Sequence, residues 1–311
     1  MTGHDGKRLR AAAAPQDGFP ERILTGGKPE FAMRMSTEKV AFLTTTAARL
    51  RKNIIRMILN AGSGHPGGSL SAIDIITYLY FHHMRIDPAN PAWPDRDRFV
   101  LSKGHCAPAL YAALAARGYF PEEELWTLRD IGSMLQGHPD MRKTPGVDIT
   151  TGSLGQGFAC AAGMALGAKV LRKDFRVFVM VGDGELQEGV IWEAAMAGAH
   201  YRLGNLVAVV DNNRLQTDGR TSEIMAVEPI GQKWTAFGWD VQQINGHDFL
   251  EIDDAFQQAR SRRGRPQLII ANTVKGKGIP AIEDDPAWHS LPATAAELER
   301  FLARAPREVF E

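Results

Sequence analysis

The chain has little cysteine, no surplus of either charge and no long apolar run, and each shortage removes a class of protein. Two cysteines in 311 residues, Cys106 and Cys160, cannot carry a disulfide framework and fit a reducing, cytoplasmic compartment. Cys160 stands in an Ala/Gly-rich stretch and reads as a small core residue. The 36 basic residues match the 36 acidic ones, so composition calls for neither a nucleic-acid nor a membrane partner. The most apolar stretch, residues 158–171 (FACAAGMALGAKVL), is too short to span a bilayer and contains Lys169. It reads as a buried helix whose small residues permit close packing. Residues 1–35 hold no apolar core of the length a signal peptide needs and read as a flexible arm. No internal linker or repeat divides residues 36–311, which are expected to form one large α/β domain.

What is present is a series of β-branched apolar runs, each ending in a polar, glycine-bearing loop. Residues 176–181 (RVFVMV) and 206–210 (LVAVV) suit buried parallel strands, with a helix expected between them over 188–201. Shorter runs at 99–101, 241–244 and 267–273 lead into Ser102-Lys103-Gly104-His105, Asn245-Gly246-His247-Asp248 and Lys275-Gly276-Lys277-Gly278. Right-handed crossovers bring the carboxyl ends of parallel strands to one edge, the edge at which open α/β sheets bind ligands. Residues 38–61 repeat apolar positions at helical spacing and stop at Gly62-Ser63-Gly64, a helix that aims the loop at His65. Asp248 is placed to cap the helix that follows it.

Two segments carry chemistry. Gly182-Asp183-Gly184 is on its own an ordinary turn, but Asn212-Asn213 follow at the end of the next strand. One carboxylate and one amide oxygen hold a magnesium ion when a diphosphate completes the shell, and the flanking glycines allow phosphate near the backbone. His65, His105, His138, His247 and His289 sit in separate loops; an imidazole of ordinary pKa donates or accepts protons near neutrality. Each, taken singly, is more commonly a turn residue with a local hydrogen bond than a group with a chemical role.

The motifs together resemble the diphosphate-binding half of a transketolase. They are Gly64-His65-Pro66-Gly67-Gly68, Ser102-Lys103-Gly104-His105, Gly137-His138-Pro139, Thr151-Gly152-Ser153-Leu154-Gly155-Gln156-Gly157, Gly182-Asp183-Gly184-Glu185, Asp211-Asn212-Asn213-Arg214-Leu215, Lys275-Gly276-Lys277-Gly278 and Trp288-His289, in family order. The resemblance implies a thiamine diphosphate-binding fold, with a mostly parallel central sheet and helices on both faces. It implies thiamine diphosphate with Mg2+, or Ca2+ or Mn2+ in its place, held by Asp183, the Asn213 side chain and the Leu215 carbonyl. His65, His105, Gly184, Lys275 and His289 would line the diphosphate and thiazolium, and Gly152 and Leu154 the aminopyrimidine. His138 would face the ketose hydroxyls. Glu188 and Glu193 resemble a pair of glutamates that link the two active sites of a dimer, and their alternative is a helix-start role. Two positions depart from common family patterns: Arg214 where glycine is frequent and Ser153 where proline is frequent.

A complete transketolase resembles two such halves and a third domain, and the motifs of the second half are not in this sequence. The expectation is an N-terminal subunit of a split enzyme, active with a second polypeptide that carries the pyrimidine-binding domain, as α2β2, on sugar phosphates. Four alternatives remain open: a transketolase for a specialised ketose phosphate, the α chain of a 2-oxo acid dehydrogenase, a deoxyxylulose-phosphate synthase and a non-catalytic cofactor-binding subunit.

Overall fold

A computed structural model describes residues 35–262, 264–291 and 296–304; the expected N-terminal arm lies almost wholly outside them. Helix α1 (Thr37–Ala61) starts where the Ser36 hydroxyl accepts the Lys39 N–H and ends at Gly62, whose φ of 59° is left-handed, the usual glycine stop. Its stripe of Leu43, Ala47, Leu50, Ile54 and Ile58 is fully buried. Helix α2 (Pro66–Tyr78) follows after four residues, with Pro66 in its first turn, where no N–H is missed. The chain continues through strand β1 (Arg98–Leu101), α3 (Ala107–Ala116), α4 (Gln156–Val170), β2 (Val177–Gly182), α5 (Gly189–His200) and β3 (Leu206–Asn212). Short α6 (Thr221–Ile224) and α7 (Ile230–Ala236) precede β4 (Asp240–Asn245), α8 (Phe249–Ser261), β5 (Gln267–Asn272) and α9 (Ala296–Arg304).

All strand pairs are parallel, in the order β1-β2-β3-β5-β4. Alternate strand residues feed two cores. Phe178, Met180, Val207, Val209 and Ile269 pack with α1, α2, α3 and α8 on one face. Val177, Val179, Val181, Ala208 and Val210 pack with α4, α5 and α7 on the other. Central strands buried on both faces explain why these runs are apolar without alternation, whereas the edge strand β4 is more polar and half-exposed. The expected strands and the long first helix are found within a residue or two of their sequence bounds.

One expectation is corrected. Helix α4 is not buried all round: Phe158, Ala161, Ala165 and Ala168 face the sheet, but Val170 and Leu171 are 72% and 70% exposed and Cys160 is exposed, not a core residue. Alanine and glycine hide the amphipathic pattern, and the 3.6-residue period turns Cys160 away from the Ala161 and Ala165 face. Among the described residues no helix is long and apolar enough to cross a membrane.

Candidate active site

The carboxyl-end loops of β1, β2, β3 and β5 enclose a cavity of about 330 Å³. His65, His105, Gly152, Leu154, Asp183, Gly184, Glu188, Asn213, Leu215, Lys275 and His289 all line it. His138 does not; its ring lies 3.5 Å from where a Cβ on Gly152 would stand, beside the cavity wall. Glu193 is also outside the lining, one turn into α5, and like Glu188 it is exposed.

The rings of His65, His105 and His289 meet with centroids 5.1 to 5.4 Å apart. Lys275 reaches across to them: its Nζ is 3.0 Å from His289 Nδ1 and donates to the carbonyls of Leu215 (3.3 Å) and Gln216 (3.4 Å). The Lys275 stem passes where Gly67 has no side chain; a Cβ there would stand 2.9 Å from Lys275 Cγ and 2.6 Å from the Trp288 carbonyl oxygen. The glycine is needed for that close approach.

The oxygen donors come from two strand ends. Asp183 accepts the Gly184 N–H with Oδ1 (2.8 Å) and the Arg214 N–H with Oδ2. Asn213 Oδ1 accepts the Leu215 N–H at 3.1 Å. Arg214 takes the left-handed backbone, φ 65°, so the residue that departs from the family's glycine still makes the turn, in a region uncommon for side chains.

Burial and crowding by like charge set the electrostatics. Burial foremost, then the Asp211 carboxylate, raises Asp183 to about 7. Burial and the Arg129 charge lower His65 to about 4; burial and Lys275 lower His289 to about 3. His105 falls well below the usual imidazole range through burial and Lys103, and His138 is lowered by burial and Arg129. These imidazoles are therefore neutral at pH 7 rather than poised near it, each with one donor and one acceptor nitrogen. Lys275 is itself lowered to about 8, by burial and then by Lys103.

Depressed imidazoles make stability pH-dependent. In the unfolded chain His65, His105 and His289, and His83, which burial lowers to about 3, take protons as pH falls through about 6.5; in the fold they do not. The unfolded state then binds more protons and stability falls. Asp183 acts the other way, since it takes a proton in the fold, as do Asp148 and Glu185, whose carboxyls burial also raises, but His82 and His138 join the lowered imidazoles and leave these in the majority. The melting midpoint without metal is expected to drop from about pH 7.5 to about pH 6; a higher midpoint at the lower pH would contradict this ordering.

Sequence reasoning gave no role to three buried residues that hold the site together. Glu185 accepts from Ser102 Oγ (2.5 Å), the Gly155 N–H (2.8 Å) and the Gly182 N–H (3.0 Å), so one carboxylate ties three of the glycine motifs. Lys103 pairs with Asp211 and donates to the Gly68 carbonyl at 3.1 Å. His247, in contrast, lies outside the site. Its Nε2 accepts the Val274 N–H (2.9 Å) and its Nδ1 faces Asp74 (2.7 Å), while Asp248 caps α8 as expected.

Comparison with known proteins agrees with this geometry. Residues 44–308 match the family described as transketolase, thiamine diphosphate binding domain. A 6-deoxy-6-sulfo-D-fructose transketolase subunit from Clostridium sp. (strain MSTE9) is 50% identical over 258 residues, 81% of this chain and 94% of the relative. An apulose-4-phosphate transketolase subunit from Phocaeicola vulgatus is 43% identical over 273 residues, 88% and 95% of the two chains. The transketolase of Rattus norvegicus is 46% identical over 256 residues, 82% of this chain but 40% of that one. A crystal structure of transketolase from Campylobacter jejuni superposes with a TM-score of 0.80 at 32% identity, over 87% of this chain and 45% of that chain. The chain belongs to the transketolase family and carries its thiamine diphosphate-binding domain. It corresponds to the N-terminal, subunit-sized members of that family, and the resemblance read from the motifs is borne out.

Proposed function

We propose that the chain binds thiamine diphosphate and a divalent cation in this cavity and, with a second subunit, moves a two-carbon ketol unit from a ketose phosphate to an aldose phosphate. The observation that carries this reading is the meeting, in one cavity, of three neutral imidazoles with the oxygens of Asp183, Asn213 and Leu215. The residues fit the cofactor in three respects. His65 Nδ1 is buried with no partner, which a bound group would satisfy. Gly152, Gly182 and Gly184 line the cavity without side chains to fill it, which leaves their backbone open to a phosphate. Lys275 brings an ammonium group into the lining, a charged donor suited to diphosphate oxygens. Among the described residues no three His, Cys, Asp or Glu side chains are grouped to hold a metal; one carboxylate, one amide and one carbonyl suit Mg2+ that shares its shell with phosphate oxygens.

Thiamine diphosphate supplies, when bound, the nucleophilic carbon and the electron sink for carbon–carbon cleavage. The protein's share is to bind, orient and move protons. Asp183, Asn213 and the Leu215 carbonyl hold the cation; Lys275 and the imidazoles of His65, His105 and His289 surround the phosphate and reacting end. A neutral imidazole can take a proton from a substrate hydroxyl through its free nitrogen, and we assign the sugar hydroxyls to His138, beside the cavity wall at Gly152. Glu188 and Glu193, exposed around the start of α5, are available to a neighbouring subunit in an α2β2 assembly. We assign the enzyme to the cytoplasm.

A specialised ketose donor is favoured by one observation: the relatives matched over nearly their whole length are named for 6-deoxy-6-sulfo-D-fructose and apulose 4-phosphate. The test is ketol transfer with Mg2+ and thiamine diphosphate, by this chain alone and with the C-terminal subunit, from xylulose 5-phosphate and from these two ketoses. Product is expected only in the mixture. Full turnover by the chain alone would rule out the split enzyme, and the donor with the highest kcat/KM names the substrate.

A further inference from the structure

We propose that Asp211 is the positioning residue of the metal loop: it fixes which end of the Asn213 amide faces the cavity and, through Asn213, the turn that leads into Leu215. The inference rests on the cofactor reading above and deepens it. Asp211 is fully buried near the end of β3 and does not line the cavity, so it cannot itself be a ligand.

An ionised carboxylate only accepts hydrogen bonds, so every group turned toward Asp211 must donate. Four do: the Ser71 hydroxyl at 2.6 Å, the Lys103 ammonium, the Thr273 hydroxyl, and Asn213 Nδ2 at 3.3 Å. Asn213 Nδ2 also donates to Ser71 Oγ at 3.4 Å, whose own proton is already given to Asp211. The direction of the chain is therefore set, from amide to hydroxyl to carboxylate. A flipped Asn213 would turn its oxygen against the carboxylate and leave two buried acceptors facing each other. With the NH2 end fixed inward, Oδ1 points the other way and accepts the Leu215 N–H. That closes the turn through left-handed Arg214 and fixes the peptide that leads into Leu215.

Lys103 keeps Asp211 ionised. Its ammonium pairs directly with Asp211 Oδ2, the two side chains being 2% and 0% exposed. The four donors come from α2, the loop after β1, the loop after β5 and β3's own end. Asp211 thus sets one oxygen donor, and the turn leading to another, from outside their coordination sphere, the way outer partners commonly tune a metal site.

The experiment titrates the full chain with Mn2+ in the presence of thiamine diphosphate, reads free Mn2+ by electron paramagnetic resonance, and records the melting midpoint of each variant without metal. Asp211→Asn is expected to bind Mn2+ about 10- to 100-fold more weakly. Ser71→Ala, which leaves the ion pair intact, should weaken it about fivefold, the worth of one hydrogen bond, with little change in melting. A purely structural Asp211 would shift melting and leave Mn2+ affinity within about threefold of the parent's, which overturns the proposal. Should Asp211→Asn show no cooperative melting, Ser71→Ala decides, and parental Mn2+ affinity there overturns it. A parent chain that binds neither Mn2+ nor thiamine diphosphate overturns the cofactor reading and this proposal together; a parent that binds both with an indifferent Asp211→Asn overturns the proposal alone.

Discussion

Asp183→Asn is expected to abolish metal-dependent cofactor binding, and with it at least about a hundredfold of the assembled enzyme's activity, while leaving the fold nearly as stable as before. A hundredfold is the upper loss typical of removing a mere outer partner of a metal ligand, and in the proposed ligand set Asp183 is the one carboxylate. The stability half of the prediction follows from the raised pKa. Burial and the neighbouring Asp211 push Asp183 up to about 7, so its charge is disfavoured where it stands. Asparagine relieves that repulsion but returns one acceptor fewer to the Gly184 and Arg214 N–H groups. The two changes oppose each other, each on the order of 1–3 kcal/mol. Calorimetric melting without metal, beside titration of thiamine diphosphate with Mg2+, measures both. A variant that still bound the cofactor in a Mg2+-dependent way would remove Asp183 from the ligand set. One that bound no cofactor because it had unfolded would contradict the stability argument.

Lys103→Met is expected to have the larger effect on the fold. It preserves much of the side-chain volume and removes the charge that faces Asp211, where the two side chains are 2% and 0% exposed. Breaking such a pair leaves an uncompensated buried charge and costs about 3–5 kcal/mol, a large share of the stability of an ordinary domain. The sign of its pH dependence distinguishes this cause from lost packing. With Lys103 present, Asp211 is held below the usual carboxylate range; without it, burial raises the carboxyl, and protonation relieves the variant as pH falls. The gap in denaturant midpoint between parent and Lys103→Met should therefore narrow from about pH 8 to about pH 5. A gap of constant size would assign the loss to packing, and a gap near zero would contradict a structural role for the pair.

The fold was legible because parallel strands buried on both faces leave an unmistakable run of β-branched residues: 176–181 and 206–210 became β2 and β3. The site was legible wherever a motif pairs with a strand end, as Gly182-Asp183-Gly184 and Asn213 do. Three things were not. Glu185 and Asp211 act through partners 83 and 108 residues away, Ser102 and Lys103, and no local spacing reports such contacts. The protonation of the histidines depends first on their burial and then on Lys103, Lys275 and Arg129 converging on them, so the ordinary imidazole range was the wrong starting point. The exposed face of α4 escaped notice because alanine and glycine look alike inside and outside a protein. Cys160 was misplaced for the same reason.

The central claim is that this chain's own carboxyl-end loops hold the cation and the diphosphate. The most direct measurement is an anomalous difference map of the assembled enzyme crystallised with Mn2+ and thiamine diphosphate. The account predicts one strong peak within about 2.0–2.3 Å of Asp183, Asn213 Oδ1 and the Leu215 carbonyl, its remaining positions filled by diphosphate oxygens. A cofactor bound in the cavity with no peak there, or a peak coordinated by other residues, would contradict it.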